Sequence, residues 1–276
     1  MILVADSGST KTHWAIVNDP QSEGVIETSG LNPFMRTDDD IVKIVERELL
    51  PKLPDTPIAR LHFYGAGCRP EQKERMTKLL QHATGAAKVT VESDLLGACH
   101  ALCGHKKGQC AILGTGSASC LYDGKKIVKQ TPSLGFILGD EGSGSVLGRR
   151  LVSDLYKNQL TPLVAQAFDE EFTETVSVVL DKIYCQPTPN RYLASFAPFL
   201  ARHRDDESIH FLLVHEFRRF ARRNLKFYGH PELPVNFVGG IAWTFQKELA
   251  EALKLEGFKM GTVLQSPITG IVNYVS

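Results

Sequence analysis

The sequence predicts an α/β fold built twice over, from three observations. Short apolar runs alternate with longer amphipathic segments, the pattern of strands and helices packed in layers. The order of these segments restarts after a boundary near residues 104–108. Each half also opens with one device: an apolar strand, a turn of glycines and hydroxyls, and a second strand, at Leu3–Val17 and again at Cys110–Tyr122.

In the first half, strands are expected at 2–6, 12–18 and 23–28. Asp38-Asp39-Asp40 then opens a helix reaching about Leu50, where Pro51, Pro54 and Pro57 end it. Arg60–Ala66 reads as a strand, Pro70–Ala83 as a helix with proline in its first turn, and Lys88–Glu92 as a strand. A further helix runs from Ser93 or Asp94 to Leu102. Three strands followed by strand–helix–strand–helix make a three-plus-two sheet with helices against it. In the second half Cys110–Leu113, Ala118–Tyr122 and Ile127–Gln130 are strand-like, with a hairpin turn at Asp123-Gly124. Residues 143–228 read as mainly helical, Val235–Val238 as a strand, Ala242–Leu255 as a helix and Met260–Leu264 as the last strand. The expected domains are 1–106 and 107–276, the second with a helical insertion near 155–230 and its last residues packing back on the first. A ligand is expected in the cleft between them.

The 276 residues suffice for two cores, and 43% hydrophobic with 22% charged residues is an ordinary globular composition. Lys+Arg and Asp+Glu are both 31, so no global field favours nucleic acid or membrane as a partner. No run is long and apolar enough to span a bilayer, and Asp6 interrupts the N-terminal apolar residues, so no signal peptide is expected. Six scattered cysteines (Cys68, Cys99, Cys103, Cys110, Cys120, Cys185) suit reduced thiols and a cytoplasmic protein.

Asp6 ends the first strand, where an apolar run does not tolerate a carboxylate without a partner. The small residues after it can turn backbone amides into one concavity, which suggests magnesium on one side and phosphate on the other. An ordinary hairpin with a polar turn is the alternative. Gly114-Thr115-Gly116-Ser117 repeats the device. Neither turn is a Walker loop, since no Gly-Lys-Ser/Thr opens a helix, and neither carries the third glycine of a dinucleotide fingerprint.

Four motifs occur in order: Asp6-Ser7-Gly8-Ser9-Thr10-Lys11-Thr12, Gly114-Thr115-Gly116-Ser117, Gly139-Asp140-Glu141-Gly142-Ser143-Gly144 and Val238-Gly239-Gly240-Ile241. Together they resemble the actin-like ATPase and sugar kinase superfamily. The match within it is to the N-acetylglucosamine kinase-like proteins, a group that includes the ATPase activators of 2-hydroxyacyl-CoA dehydratases and benzoyl-CoA reductases. The resemblance implies two duplicated actin-like (ribonuclease H-like) domains around a ligand cleft, ATP and Mg2+ as cofactors, and a small sugar as substrate. A homodimer is the assembly left open. It implies Asp6 for the metal, Gly8, Ser9, Thr10 and Lys11 with Gly114, Thr115, Gly116 and Ser117 for the phosphates, and Gly239 and Gly240 for the adenosine.

By the same resemblance Asp94 is the catalytic aspartate that takes the acceptor hydroxyl's proton, and Asn32, Gly135 and Asp140 join it at the sugar. From the residues alone, Asp94 also fits a helix N-cap, with Ser93 competing. Asn32 also fits an Asn-Pro turn, and Asp140 a cap for a helix opening at Ser143. Related kinases carry tryptophan before the glycine matched by Gly135. Here Leu134 stands there, which leaves the sugar's identity open. The implied function is ATP-dependent phosphorylation of an amino sugar, N-acetylglucosamine or a relative, at a primary hydroxyl. The alternatives are an ATPase that energises a partner enzyme, and a nucleotide-binding regulator without catalysis.

Activators of the dehydratase type hold an iron–sulfur cluster on a cysteine loop. Cys99, His100, Cys103 and His105 lack the two-residue gap of such knuckles, and the two cysteines read as small buried thiols on a helix. Arg218, Arg219, Arg222, Arg223 and Lys226 read as the solvated side of a helix whose apolar face is Phe211, Val214, Phe217, Ala221 and Leu225. His203-Arg204-Asp205 lacks the downstream asparagine of a protein-kinase catalytic loop, since His210 holds that position.

Overall fold

A computed structural model describes residues 1–17 and 25–276. It divides into two units, Met1–Lys106 with Ser266–Ser276, and Lys107–Gln265.

The first unit is a five-stranded sheet of order β3-β2-β1-β4-β5, with β1 Ile2–Ser7, β2 Lys11–Ile16, β3 Ile26–Ser29, β4 Arg60–Gly65 and β5 Lys88–Ser93. β1, β2 and β3 pair antiparallel, whereas β1, β4 and β5 pair parallel. The strand expected at 23–28 thus appears as Ile26–Ser29. Residues 23 and 24 of that expectation, and residue 18 of the strand expected before it, lie outside the described residues.

β1 alternates its side chains between two cores. Leu3 and Ala5 pack with Trp14, Phe63 and Val91 under α1 (Asp38–Ile44) and α2 (Pro70–Thr84), while Val4 packs with Tyr64, Ile268 and Ile271. That second face is covered by α3 (Asp94–Cys103) and by a C-terminal helix, Ile268–Val275, which the sequence patterns did not predict. Gly270 permits the helix to lie close, because a Cβ there would stand 2.7 Å from Ala101 Cβ. Thr37 starts α1 in a capping box with Asp40, and the helix passes into a π-turn at Val45–Leu49 before the prolines.

The second unit repeats the topology: β8-β7-β6-β9-β10, with β6 Gly108–Leu113, β7 Ser117–Tyr122, β8 Ile127–Gln130, β9 Val235–Val238 and β10 Met260–Leu264. Its order matches that of the first sheet strand for strand. The helices between β8 and β9 are α4 (Gly135–Leu138), α5 (Gly144–Tyr156), α6 (Pro162–Glu171), α7 (Val176–Tyr184), α8 (Pro189–Ala194), α9 (Ala197–Arg202) and α10 (Glu207–Phe220). α10 continues through a π-turn, Ala221–Leu225. The helix expected at Ala242–Leu255 is two, α11 (Gly240–Thr244) and α12 (Gln246–Leu255), broken at Phe245. The C-terminal helix Ile268–Val275 is α13. Among the described residues no helix is long and apolar enough to cross a membrane.

The expected apolar face of α10 is buried except for Phe211, which is exposed. Its basic residues are not simply solvated. Glu256 takes Arg218 and Arg222 at 2.8 Å and Lys226 at 3.2 Å, Arg219 meets Glu216, and Arg223 meets Glu141. Hydrogen bonds from Arg222, with Arg218 and Lys226, pull the Glu256 carboxyl down to about 2, against the opposing effect of burial. A folded-state pKa below the unfolded one gives stability that is full above the unfolded value and vanishes as pH falls through the folded value. Glu256→Gln should therefore cost about 1–2 kcal/mol near pH 7, discounted for the solvent exposure of the three cations. In urea unfolding, the gap to wild type should close as pH falls from about 5 towards 2. A gap independent of pH would contradict this assignment.

Candidate functional site

The parallel pairing of β1, β4 and β5 sets Asp6, Tyr64 and Glu92 side by side, followed by Ser7, Gly65 and Ser93. Asp6 then lies at the end of β1 and Asp94 is the first residue past β5, with side-chain-free Gly65 ending the strand between. A Cβ on Gly65 would approach Phe63 Cε1 at 2.5 Å and Cys68 Sγ at 2.8 Å. Ser93 is the N-cap of α3, its Oγ accepting from Leu96 N, so the cap role open to Asp94 belongs to its neighbour. Asp94 Oδ1 accepts from Leu95 N at 2.8 Å.

Burial, reinforced by the Asp94 carboxylate, pushes Asp6 up to about 7. Burial also raises Asp94, against bonds from the Leu95 and Asp94 amides. No hydrogen bond to the Asp6 carboxylate occurs among the described residues. Two part-buried carboxylates that repel each other in this way suit a hard divalent cation. Among the described residues no group of three or more His, Cys, Asp or Glu gathers to hold a metal. Magnesium needs none, since it keeps several waters and takes one or two carboxylates with phosphate. Asp6, a buried carboxylate with no hydrogen bond of its own among the described residues, fits that ion.

The turn after β1 is closed by Gly8 N donating to Lys11 O at 2.9 Å. Gly30 N donates to Thr10 O at 2.9 Å, and the buried Ser7 hydroxyl bonds Thr12 Oγ1 at 2.8 Å and Leu31 N at 3.1 Å. Loop 30–34 is thereby laid on the turn. Asn32 Nδ2 donates to Ser9 Oγ at 2.8 Å, and Asn32 Oδ1 accepts from Phe34 N at 3.0 Å. Asn32 is thus an Asx-turn residue tied to the β1–β2 turn, with one amide hydrogen and one carbonyl lone pair beyond those two bonds. Gly67, at φ 80°, lies so close that a Cβ would strike Asn32 Oδ1. Lys11 stands apart from the other turn residues: its ammonium pairs with Glu27 at 2.7 Å across β2 and β3.

In the second unit the N-terminus of α5 anchors the β6–β7 turn. Gly144 N donates to Gly114 O at 2.8 Å and Ser145 N to Thr115 O at 3.1 Å. Across a trans peptide the carbonyl of one residue and the amide of the next point oppositely, so the amides of Thr115 and Gly116 face away from α5. Ser143 caps α5 through Val146 N, which removes the cap role open to Asp140. Asp140 instead adopts φ 54°, and its Oδ1 accepts from Ser117 N at 3.3 Å. Gly116 gives it room, since a Cβ there would lie 3.0 Å from Asp140 Oδ2. Burial raises the Asp140 carboxyl above its ordinary range, opposed by the Ser117 amide. Gly239, at φ 121°, presses on the same turn, because a Cβ would collide with Leu113 O. Gly240 opens α11 beside it, while Gly135, at φ 73°, opens α4 on an exposed stretch.

Cys99 and Cys103 are free thiols on α3 as expected, Cys99 buried and Cys103 half-buried. His100 bonds Tyr64 Oη at 3.0 Å through Nδ1 and stacks on Tyr274 at 3.8 Å, and burial pushes it down to about 4. Sequence patterns missed Ser7, Gly30, Gly67, Glu141 and Arg223. Ser7 and Glu141 do lie inside the quoted motifs, which is the signal that was available.

No family model matches the chain. A candidate N-acetylglucosamine kinase from Porphyromonas gingivalis is 40% identical, with 99% of this chain and 98% of that one covered at a TM-score of 0.95. A second such candidate, from Chromobacterium violaceum, shares the fold at 18% identity and a TM-score of 0.75, with 100% and 98% covered. The curated glucosamine kinase of Vibrio cholerae is 35% identical over 85 residues, 31% of this chain and 29% of the kinase. The chain thus spans less than a third of that curated relative. Two sheets of one topology, each with a strand–turn–strand device, define the two-domain actin-like architecture. The chain belongs to the actin-like ATPase and sugar kinase superfamily, in the N-acetylglucosamine kinase-like group with the Porphyromonas protein.

Gly30→Ala should lower stability by about 1–3 kcal/mol, because its Cβ would lie 2.6 Å from Gly8 O and Ser9 C and displace the turn. Gly240→Ala meets nothing within 4 Å and should be neutral or stabilising. Thermal unfolding of the two variants distinguishes them.

Proposed function

We propose that the protein transfers the γ-phosphoryl group of ATP to a primary hydroxyl of an amino sugar, N-acetylglucosamine or a close relative. The observation that carries this reading is the Asp6–Asp94 pair at one edge of the sheet, at the ends of β1 and β5 with only β4 between them. It is supported by the 40% identity to the Porphyromonas candidate N-acetylglucosamine kinase and by the segment shared with glucosamine kinase.

In this reading Asp94 accepts the proton of the attacking hydroxyl and holds its oxygen in line with the phosphorus. The raised pKa given by burial makes its carboxylate a better base than an exposed aspartate. Asp6 holds Mg2+, which when bound neutralises charge on the phosphates. The turns Gly8–Lys11 and Gly114–Ser117 take phosphate oxygens through backbone amides and hydroxyls, with Lys11 contributing least because Glu27 engages it. Gly239 and Gly240 let adenosine approach the backbone. Asn32, Gly135 and Asp140 orient the sugar, Asp140 as an acceptor for hydroxyls and Asn32 as donor and acceptor.

Asp94→Asn should reduce kcat by about 10²–10⁴-fold, the usual range for a positioned general base. Affinity for a non-hydrolysable ATP analogue should change by no more than about threefold. A coupled ADP assay with glucosamine, N-acetylglucosamine, N-acetylmannosamine and N-acetylmuramate, alongside nucleotide titration, measures both. Unchanged turnover would remove Asp94 from this role.

A further inference from the structure

Residues 131–142 carry Gly135 and Asp140, and Phe136 packs against the core while the apolar side chains around it do not. Leu134, Ile137 and Leu138 are 55%, 71% and 67% exposed. Asp140 also sits in left-handed backbone, which persists in a non-glycine residue only where its surroundings over-determine it. Something else must hold this segment.

Two arginines on neighbouring helices meet it. From α5, Arg149 Nη1 donates to Phe136 O at 2.6 Å and to Ile137 O at 3.4 Å, taking carbonyls at the end of α4. From the π-turn after α10, Arg223 donates through Nε to the buried carboxylate of Glu141, the residue after Asp140, and Asn224 Nδ2 joins it at 3.3 Å. The segment's start is tied to the same turn, with Thr131 Oγ1 donating to Asn224 O at 3.2 Å. Its end is seated by Gly142, where a Cβ would lie 3.2 Å from Phe220 Cβ. Between these ties lies an open cavity of about 270 Å³ lined by Thr131, Pro132, Leu134, Leu138, Arg223 and Asn224, so packing does not substitute for the polar bonds. A charge-assisted bond to a buried carboxylate is strong, and a planar guanidinium fixes direction as well as distance.

We propose that Arg149 and Arg223 are positioning residues that hold residues 131–142 in the form that presents Gly135 and Asp140 to the sugar. Arg223 acts through Glu141 on the adjoining Asp140, and Arg149 acts through the carbonyls that end α4. The inference rests on the amino-sugar kinase reading for its effect on substrate, but not for its effect on the loop.

Arg149→Met and Arg223→Met keep the aliphatic stem and remove the fork. Each should raise KM for the sugar by about tenfold or more, with kcat and KM for ATP within about threefold of wild type. Arg223→Lys, which restores charge without planar geometry, should recover part of the loss. Independently of any sugar, backbone hydrogen exchange across 132–142 should quicken about tenfold in both methionine variants. Unchanged exchange overturns the proposal whether or not a sugar substrate is found. Faster exchange with an unchanged sugar KM overturns the positioning role. A wild-type protein that phosphorylates no sugar overturns the kinase reading instead, and the exchange result then decides the clamp alone.

Discussion

The strand register of the first sheet is the constraint on which the site depends. Parallel pairing of β1 with β4 and of β4 with β5 places Asp6 and Asp94 at one edge, on strands separated only by the one that ends in Gly65. A one-residue slip in either pairing would turn one carboxylate to the other face of the sheet. The register is in turn secured by burial on both faces. Leu3 and Ala5 lie in one core, Val4 in the other, and α13 completes the cover over Val4. Burial, with the Asp94 carboxylate nearby, disfavours a bare charge on Asp6, and the fold keeps the carboxylate there all the same.

The second unit applies the same topology to a different task. Its turn at Gly114–Ser117 is fastened from behind by α5, pressed from the side by Gly239, and met by Asp140 through the Ser117 amide. Glycines serve here as room for close approach: Gly116 for a carboxylate, and Gly239 for the backbone of Leu113. In the first unit Gly30 and Gly67 do the equivalent for the β1–β2 turn and Asn32.

Much of this was legible in the sequence because it is local. The strands at Ile127–Gln130, Val235–Val238 and Met260–Leu264 fall where their apolar runs and flanking turns put them, and the duplicated order follows from counting them. What was not legible is non-local. α13 has its apolar stripe explained only by α3, β1 and β2, and Phe245, where α11 and α12 part, is buried against Phe217 of α10. The pairing of Glu141 with Arg223 spans 82 residues and leaves no mark on the neighbours of either. The basic run on α10 looked solvated for the same reason: Glu256, which takes three of its cations, lies 38 residues beyond Arg218. At the site, residue types announced the chemistry, but whether Ser93 or Asp94 capped α3 was a question of side-chain geometry.

An amino-sugar kinase passes the γ-phosphoryl group to a sugar hydroxyl rather than to water. Phosphorus-31 NMR of protein, Mg2+, ATP and an amino sugar tests this directly, since a phosphomonoester and inorganic phosphate resonate apart. A sugar phosphomonoester should form in step with ADP, with little inorganic phosphate, and little ADP should form when sugar is withheld. Inorganic phosphate released at one rate with and without each sugar would contradict it.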